Sequence, residues 1–358
     1  MKNGLSATAV LLPAGLLYIA VAFTYRLPVP VQPLKAFGAI AIAKGLGSDV
    51  IATGALLMGA IFLVLGRTGL MDLAARAFPR ALVRGVQLTV GLLFLKIAWG
   101  LVHDAPKSFR DHSADPTTLL VIALAVFAAA LLWKRRLVSL AFLGAGLGVA
   151  LARAGGGLAF GPSAIALPHL DWAMVGTALT VLVLPQVPLT FANSCIATSD
   201  AARTYFGERA ARVRPGRLAT TIGMANLFSG AITGMPVCHG AGGMTAHRAF
   251  GARTGGAPLV MGSALVVAAL GLGAGAATLL AAFPLPILAG MLAAAGLLHI
   301  GLLRDLRGVG SWALALTTGL VGFESNLSIA LAIGLVLWWL PVGAVRVAAL
   351  AGGARSGS

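Results

Sequence analysis

Charge is scarce in this chain of 358 residues, of which only 10% are charged and 59% are hydrophobic. Soluble globular domains have about 25% charged residues, so a water-soluble fold is excluded. Acidic side chains are few, since 10 Asp and Glu stand against 26 Lys and Arg. In a soluble protein this excess would suggest nucleic acid. Here the basic residues lie mostly between apolar runs, where membrane orientation explains them. We expect no nucleic-acid partner.

Cysteine is also scarce, with only Cys195 and Cys238, and neither has the spacing of a disulfide framework or a zinc site. The chain has no Gly-x-Ser-x-Gly elbow and no His-Glu-x-x-His motif. The acidic residues lie in loops or near the ends of apolar runs, which leaves no obvious intramembrane carboxylate to carry a proton. We therefore expect no metal, no cofactor and no enzymatic activity, and a membrane-embedded enzyme is the least favoured alternative.

What the sequence does contain is long apolar runs separated by charges and by Pro or Gly breaks. A helical span needs roughly 20 apolar residues, so the pattern predicts an all-α polytopic membrane protein with about 13 spans and no soluble domain. The predicted spans lie near 5–24, 29–47, 49–66, 80–102, 117–133, 137–153, 172–199, 216–234, 236–250, 256–281, 284–301, 308–322 and 326–345.

The loops predict an orientation, because lysine and arginine accumulate on the cytoplasmic side. Alternate loops place most basic residues on one side, including Lys134, Arg135, Arg136 and Arg355. The opposite side receives Lys2, Lys44, Lys96, Lys107, Arg110 and Arg153. As given, the chain is expected to begin outside and to end in the cytoplasm. Abundant arginine and alanine suggest a GC-rich bacterium, hence a bacterial inner membrane.

Two segments of similar sequence indicate a duplication. The run Ala77–Gly85, followed by Gly91, matches Ala282–Gly290, followed by Gly296, and Gly15 matches Gly223 at nearly the same spacing. The first Phe-Pro corner is flanked by Arg76, Arg80 and Arg84, whereas no lysine or arginine occurs between Arg253 and Arg304. These observations predict two inverted repeats, 1–153 and 154–358. Chance likeness between Ala/Gly/Leu-rich spans is the alternative.

The second and ninth spans are short and broken by proline, which predicts an extended strand followed by a half-helix in each. A half-helix that begins inside the bilayer directs free N–H groups and its positive dipole end at the membrane centre, where transporters of this architecture bind substrate. The first half-helix follows Gln32 and Pro33 and includes the intramembrane cation Lys35, functional by default. The second follows Cys238 and His239.

Glycine would allow a ligand to approach the second half-helix closely at Gly240, Gly242 and Gly243, although these glycines could serve only helix packing. His239 could be a structural histidine, or a hydrogen-bond donor and proton carrier facing the ligand. The polar span that carries Gln186, Thr190 and Asn193 could line the same cavity, or some of its side chains could only bridge helices. We expect all these residues to form an anion-binding site.

The motifs Pro28–Ala36, Leu184–Thr190, Pro236–Gly243 and Phe250–Gly256 resemble those of the molybdate transporter family within the sulfate permease superfamily. The resemblance covers most of the chain. It implies a seven-plus-seven inverted-repeat fold like that of uracil permease. In such a fold a core domain holds the site and a gate domain moves against it, and the two domains are interleaved along the chain. It also implies a tetrahedral oxyanion substrate, with molybdate first and sulfate second. Such proteins normally begin with a span containing a Gly-Asp-Leu-Gly motif, which is absent here; we expect poor transport without it.

The sequence thus predicts a secondary transporter that exposes a midplane site alternately to the two sides of the membrane. An anion channel of the same fold is the main alternative. A homodimer is possible for this architecture. Which ion drives transport is left open, and His239 is the remaining candidate for a proton carrier.

Overall fold

The computed structural model describes residues 3–132, 137–155, 158–273 and 275–353, and it describes no side chains at Leu137 and 341–353. Several basic residues used for the predicted orientation lie outside the described residues: Lys2, Lys134, Arg135, Arg136 and Arg355.

The first part of the chain is helical apart from one short strand. Its elements are α1 (Ala7–Tyr25), β1 (Gln32–Pro33), α2 (Lys35–Ala43), α3 (Ser48–Arg67), α4 (Leu70–Ala75), α5 (Arg80–His103), a 3-10 turn (Arg110–Ser113), α6 (Pro116–Leu132) and α7 (Leu137–Ala154). The Ser6 hydroxyl caps α1 by accepting the Ala9 N–H at 3.1 Å, and Pro79 precedes the first residue of α5, a position where no N–H donor is needed.

The second part begins with one long helical segment, Trp172–Arg212. It consists of α8 (Trp172–Thr177), a π-helical stretch (Ala178–Val183), α9 (Leu184–Leu189), a second π-helical stretch (Thr190–Ala197), α10 (Thr198–Phe206) and a 3-10 turn (Gly207–Arg212). Then follow α11 (Pro215–Ala231), β2 (Val237–Cys238), α12 (Ala241–Ala249), α13 (Gly256–Gly271), α14 (Gly275–Ala281), α15 (Leu285–Ile300), a 3-10 turn (Gly301–Asp305), α16 (Val309–Glu324) and α17 (Leu327–Gly353).

The observed helices test the predicted spans. Within the described residues, five are long and apolar enough to cross a membrane: Ala7–Tyr25, Ser48–Arg67, Arg80–His103, Trp172–Arg212 and Leu285–Asp305. Shorter apolar helices lie at four other predicted spans: Pro116–Leu132, Val138–Ala154, Gly256–Gly271 and Leu327–Leu340. The single span predicted over 256–281 is wrong, because α13 ends at Gly271, Gly273 has a left-handed φ of 45°, and α14 begins at Gly275. The span predicted over 172–199 continues to Arg212, and it stays helical across Pro185 and Pro188, which lie between the two π-helical stretches.

Both proline-broken segments have the predicted form. The strands β1 and β2 pair antiparallel, with Gln32 opposite Cys238 and Pro33 opposite Val237, and a nine-residue helix follows each strand. Because the strands run in opposite directions, α2 and α12 leave the crossing in opposite directions. The prediction of two adjacent extended segments, each leading into a short helix, is confirmed.

The helices pack in two groups around this crossing. In one group α1 packs on α13, α3 on α11, and the long segment on both α3 and α11. In the other group α5 contacts α15 and α16, while α6 packs on α15 and α17 on α16. The strands and half-helices belong to the first group, and α12 touches α5 and α15 of the second. The crossing therefore lies where the two groups meet.

Candidate anion-binding site

The two strand ends hold the start of both half-helices at one point. The Leu34 N–H donates to the Pro236 carbonyl at 3.0 Å, which extends the two-residue ladder to the start of α2. On the other side of β2, the Val237 N–H donates to Asn226 Oδ1 of α11 at 2.7 Å. Backbone groups of an extended segment need such partners where water is absent. The positive dipole ends of α2 and α12 converge here.

The first half-helix is secured from the long helical segment. Gln186 Oε1 accepts the Phe37 N–H of the first turn of α2 at 2.9 Å, and Gln186 Nε2 donates to Thr190 Oγ1 at 2.9 Å. Both Gln186 and Thr190 are buried. The structure thus brings these two predicted site residues to the start of α2, where they fix the helix and satisfy one of its free amides. Lys35 and Pro33 are exposed.

The second half-helix begins at residues that tolerate no side chain. A methyl group on Gly240 would overlap the Gln32 amide nitrogen, and one on Gly243 would lie 2.7 Å from the Pro30 Cβ. One on Gly242 would lie 2.6 Å from the Phe94 Cζ. Intrahelical bonding begins with the Met244 N–H, which donates to the Gly240 carbonyl at 3.1 Å. The three amides before it are therefore free donors of a helix N-terminus, and they lie against Gln32, Pro30 and α5.

Phe94 of α5 occupies the space in front of both half-helices. Its ring contacts the first turn of α12 at Gly242, and the Lys35 ammonium lies 4.5 Å from the ring centroid. An ammonium over an aromatic face is attracted by the ring quadrupole. In this conformation the cation of the site is paired with an aromatic ring that belongs to the other group of helices. Phe94 thus covers the start of α12, while Lys35 beside it keeps exposed surface.

His239 is completely buried, and protein groups contact both of its ring nitrogens. Its Nδ1 donates to the Pro30 carbonyl at 2.8 Å, because a carbonyl can only accept, and its Nε2 lies 2.9 Å from the Thr221 hydroxyl of α11. Tyr25 extends this network, with its hydroxyl 2.9 Å from that of Thr221. In this geometry the imidazole ties the end of β2 to α11 and to the segment before β1.

The remaining predicted residues are Cys238 at the end of β2 and Asn193 on the second π-helical stretch. The Cys238 thiol is buried at the end of β2, and Ser194, on the second π-helical stretch, is buried as well. On the same stretch the Asn193 Oδ1 is buried without a hydrogen-bond partner among the described residues. In the described part of the chain no three His, Cys, Asp or Glu side chains come together as metal ligands would.

Two features of the site were missed by sequence reasoning. Arg84 was counted as a loop residue, but it lies inside α5 with no exposed surface. Its guanidinium pairs with Asp200 of α10 and with Asp305, the latter at 2.9 Å from Nε, and donates to Gln87 Oε1 at 2.8 Å. The prediction that acidic residues lie only in loops or near span ends is wrong for Asp200, which is inside the long helical segment. An arginine and a glutamine three residues apart in an apolar span were the available signal.

Phe94 gave no signal, because a phenylalanine in an apolar helix is ordinary. Only its position opposite Gly242 and Lys35 distinguishes it.

The sequence is similar to those of known transporters. A family profile described as "Molybdate transporter of MFS superfamily" matches residues 1–94 and 178–298. Molybdate transporter 1 of Arabidopsis thaliana is 28% identical over 91% of this chain and 81% of its own length. Molybdate transporter 2 of the same plant is 27% identical over 83% and 73%. Molybdate transporter 1 of Chlamydomonas reinhardtii is 37% identical over a shorter region, 45% of this chain and 32% of its own.

Two solved structures share the fold. The transmembrane domain of the cyanobacterial bicarbonate transporter BicA superposes with a TM-score of 0.59 at 17% identity, over 91% of this chain and 88% of that chain. SLC26A9 gives 0.54 at 16% identity, over 95% of this chain and 64% of that chain. The fold is therefore that of a multi-pass membrane protein. Since the family profile matches more than half of the sequence, the chain belongs to the molybdate transporter family.

Proposed function

We propose that this protein is a secondary transporter that carries molybdate across the membrane, with sulfate as a weaker substrate. The observation that carries the proposal is the meeting of the two half-helix N-termini at the β1–β2 pair, beside the cation Lys35. Free backbone amides and a positive dipole end favour an anion. Relatives named as molybdate transporters over most of their length supply the substrate and favour a transporter over an enzyme.

In the proposed site, Lys35 and the first amides of α2 and α12 contact the oxyanion directly. Gln32 lies against Gly240 and supplies a further amide. The other predicted residues act through position: Gln186 and Thr190 hold α2, while His239 holds α12 and Cys238 anchors β2 against the long segment. Asn193 keeps an unpaired oxygen near this layer.

We further propose that transport proceeds by alternating access. The first group of helices carries the half-helices and forms the core, whereas α5, α6 and α15 to α17 form the gate. Phe94 of the gate covers the site of the core in the present conformation. A displacement of the gate that withdraws Phe94 frees Lys35 and the α12 amides together.

The glycine contacts support the proposed duplication into 1–153 and 154–358. Gly15 meets Gly262 where α1 crosses α13, and its sequence counterpart Gly223 contacts Gly59 where α11 crosses α3. Gly91 and Gly296, also counterparts, contact each other between α5 and α15. Close approach of helices at matched small residues is expected of two copies of one unit. We propose a bacterial inner membrane, with the basic loops and the C-terminal end in the cytoplasm.

Proteoliposomes containing the purified full chain test the function. Labelled molybdate uptake should saturate, should be reduced by excess unlabelled sulfate at higher concentration than by molybdate, and should be lost in a Lys35→Ala variant that still folds. Protein-free liposomes supply the background. A voltage-dependent conductance without saturation would instead indicate a channel. Correctly folded protein that shows neither molybdate flux above background nor molybdate binding would contradict the proposal.

A further inference from the structure

A cavity of about 700 Å³ is lined by residues outside the two half-helices. It opens between α4, the start of α5, the end of the long helical segment and the start of α11. None of the residues that form the β1–β2 crossing lines it. Its polar lining consists of Asp72, Arg76, Arg80, Ser199, Asp200, Arg203 and Arg214.

The two aspartates of this cavity are already engaged. Asp72 Oδ1 accepts the Gly216 N–H of α11 at 2.9 Å. Asp200 pairs with the buried Arg84 and accepts from Gln87 Nε2 at 3.1 Å. Both carboxylates remain in the cavity lining, where four arginines stand against these two aspartates, so the lining carries a net positive charge.

Some guanidinium N–H groups of the arginines have no partner among the described residues. Arg80 is paired with Asp305 at 2.6 Å, and Arg214 donates from Nε to the Ala211 carbonyl at 3.1 Å. Arg76 and Arg203 are exposed, and their guanidinium groups have no hydrogen-bond partner among the residues that the structure describes. A guanidinium offers a planar pair of N–H donors that fits two oxygens of one oxyanion.

The backbone adds to the positive electrostatic potential of the cavity. The long helices α5 and α11 both begin at this cavity, at Arg80 and Pro215; Asp72 accepts one amide of the first turn of α11, whereas α5 has no side-chain cap among the described residues. Helix N-termini carry partial positive charge and attract anions. A concave surface with a net positive charge raises the local concentration of anions, and their association rates, by about 10- to 1,000-fold.

We propose that this cavity is a second oxyanion-binding site, in which Arg76 and Arg203 hold a hydrated tetrahedral dianion such as molybdate, sulfate or phosphate. The cavity is large enough for the ion to keep much of its hydration shell, so binding is weaker and less selective than at the half-helices. It concentrates oxyanions at one mouth of the protein. The assignment rests on the cavity alone and stands whether or not the half-helix site takes molybdate.

The test is equilibrium binding of sodium molybdate, sodium sulfate and sodium phosphate, each alone, to the purified full chain in lipid nanodiscs. We expect a weak site that accepts all three ions. In an Arg76→Gln/Arg203→Gln variant its affinity should fall at least about tenfold, and its salt dependence should become shallower. Thermal unfolding should be unchanged, because both side chains are exposed and unpaired.

The matched control is Arg67→Gln/Arg307→Gln, which removes the same charge from two exposed positions outside the cavity. A Lys35→Ala variant should leave the weak site intact, so that failure here and failure of the half-helix site are distinguishable. Unchanged binding in the Arg76→Gln/Arg203→Gln variant would overturn the proposal. So would an equal loss in the control, which would indicate bulk charge, or loss of the weak site on Lys35→Ala.

Discussion

Replacing Lys35 by alanine tests the centre of the proposed site. Lys35 is the first residue of α2, and its ammonium faces the gate at Phe94. A hydrogen bond to a charged group contributes about 1.5–3 kcal/mol, and about 1.4 kcal/mol is a tenfold change in Kd. Removing the ammonium should therefore weaken molybdate binding by about 10- to 140-fold if the bound ion contacts it directly.

The contact with Phe94 reduces the effect that is observed. Before it can bind the anion, Lys35 must leave the aromatic ring, which costs about 0.5–1 kcal/mol at an accessible site. Lys35→Ala abolishes this cost together with the anion contact. We expect the loss in the otherwise native chain to be about two- to fivefold smaller than the loss measured in a Phe94→Leu background.

Isothermal titration of the purified protein with molybdate measures both values, and thermal unfolding confirms that each variant folds. Lys44→Ala is the matched control, since Lys44 is an exposed lysine at the other end of α2. It should leave the Kd unchanged. A Kd within twofold of the native value for Lys35→Ala in both backgrounds would refute the direct contact.

Three further substitutions probe the surroundings. Gly240→Ala should lower molybdate uptake because its methyl group displaces the Gln32 amide from the proposed site; native uptake would show that this amide does not contact the anion. Gln186→Leu leaves a buried α2 amide unpaired, which should lower the free energy of unfolding by about 1–3 kcal/mol in denaturant titrations. Asp200→Asn weakens the ion pair with the buried Arg84 and should lower the free energy of unfolding by about 1.5–3 kcal/mol. Native-like stability would mean that Asp305 alone is enough to compensate the Arg84 charge.

The sequence predicted the local breaks well, because proline acts on its own neighbours. The extended segments ending at Pro33 and Cys238, and the half-helices after them, follow from that chemistry. It could not predict partners that depend on tertiary packing, such as Gln186 at the Phe37 amide, 149 residues away. Arg84 was misplaced for the same reason, since only the folded chain supplies its carboxylates.

His239 shows how far the sequence alone can predict a role within the site itself. The position of His239 at a helix break fitted either a ligand contact or a structural role, and the choice depends on both ring nitrogens. Those contact Pro30 and Thr221, which belong to different parts of the chain. No local pattern encodes such contacts.

The antiparallel pairing of β1 with β2 also constrains how the protein is made. His239 and Pro30, which close this crossing, are 209 residues apart. When the first helices enter the bilayer, the backbone groups of β1 and the start of α2 lack their partners, and unpaired polar groups are costly in lipid. This segment must therefore stay near the membrane interface, or be shielded by the insertion machinery, until β2 has been synthesised. The site is thus assembled late in biogenesis, and a ribosome that stalls before β2 leaves a product with an unprotected break.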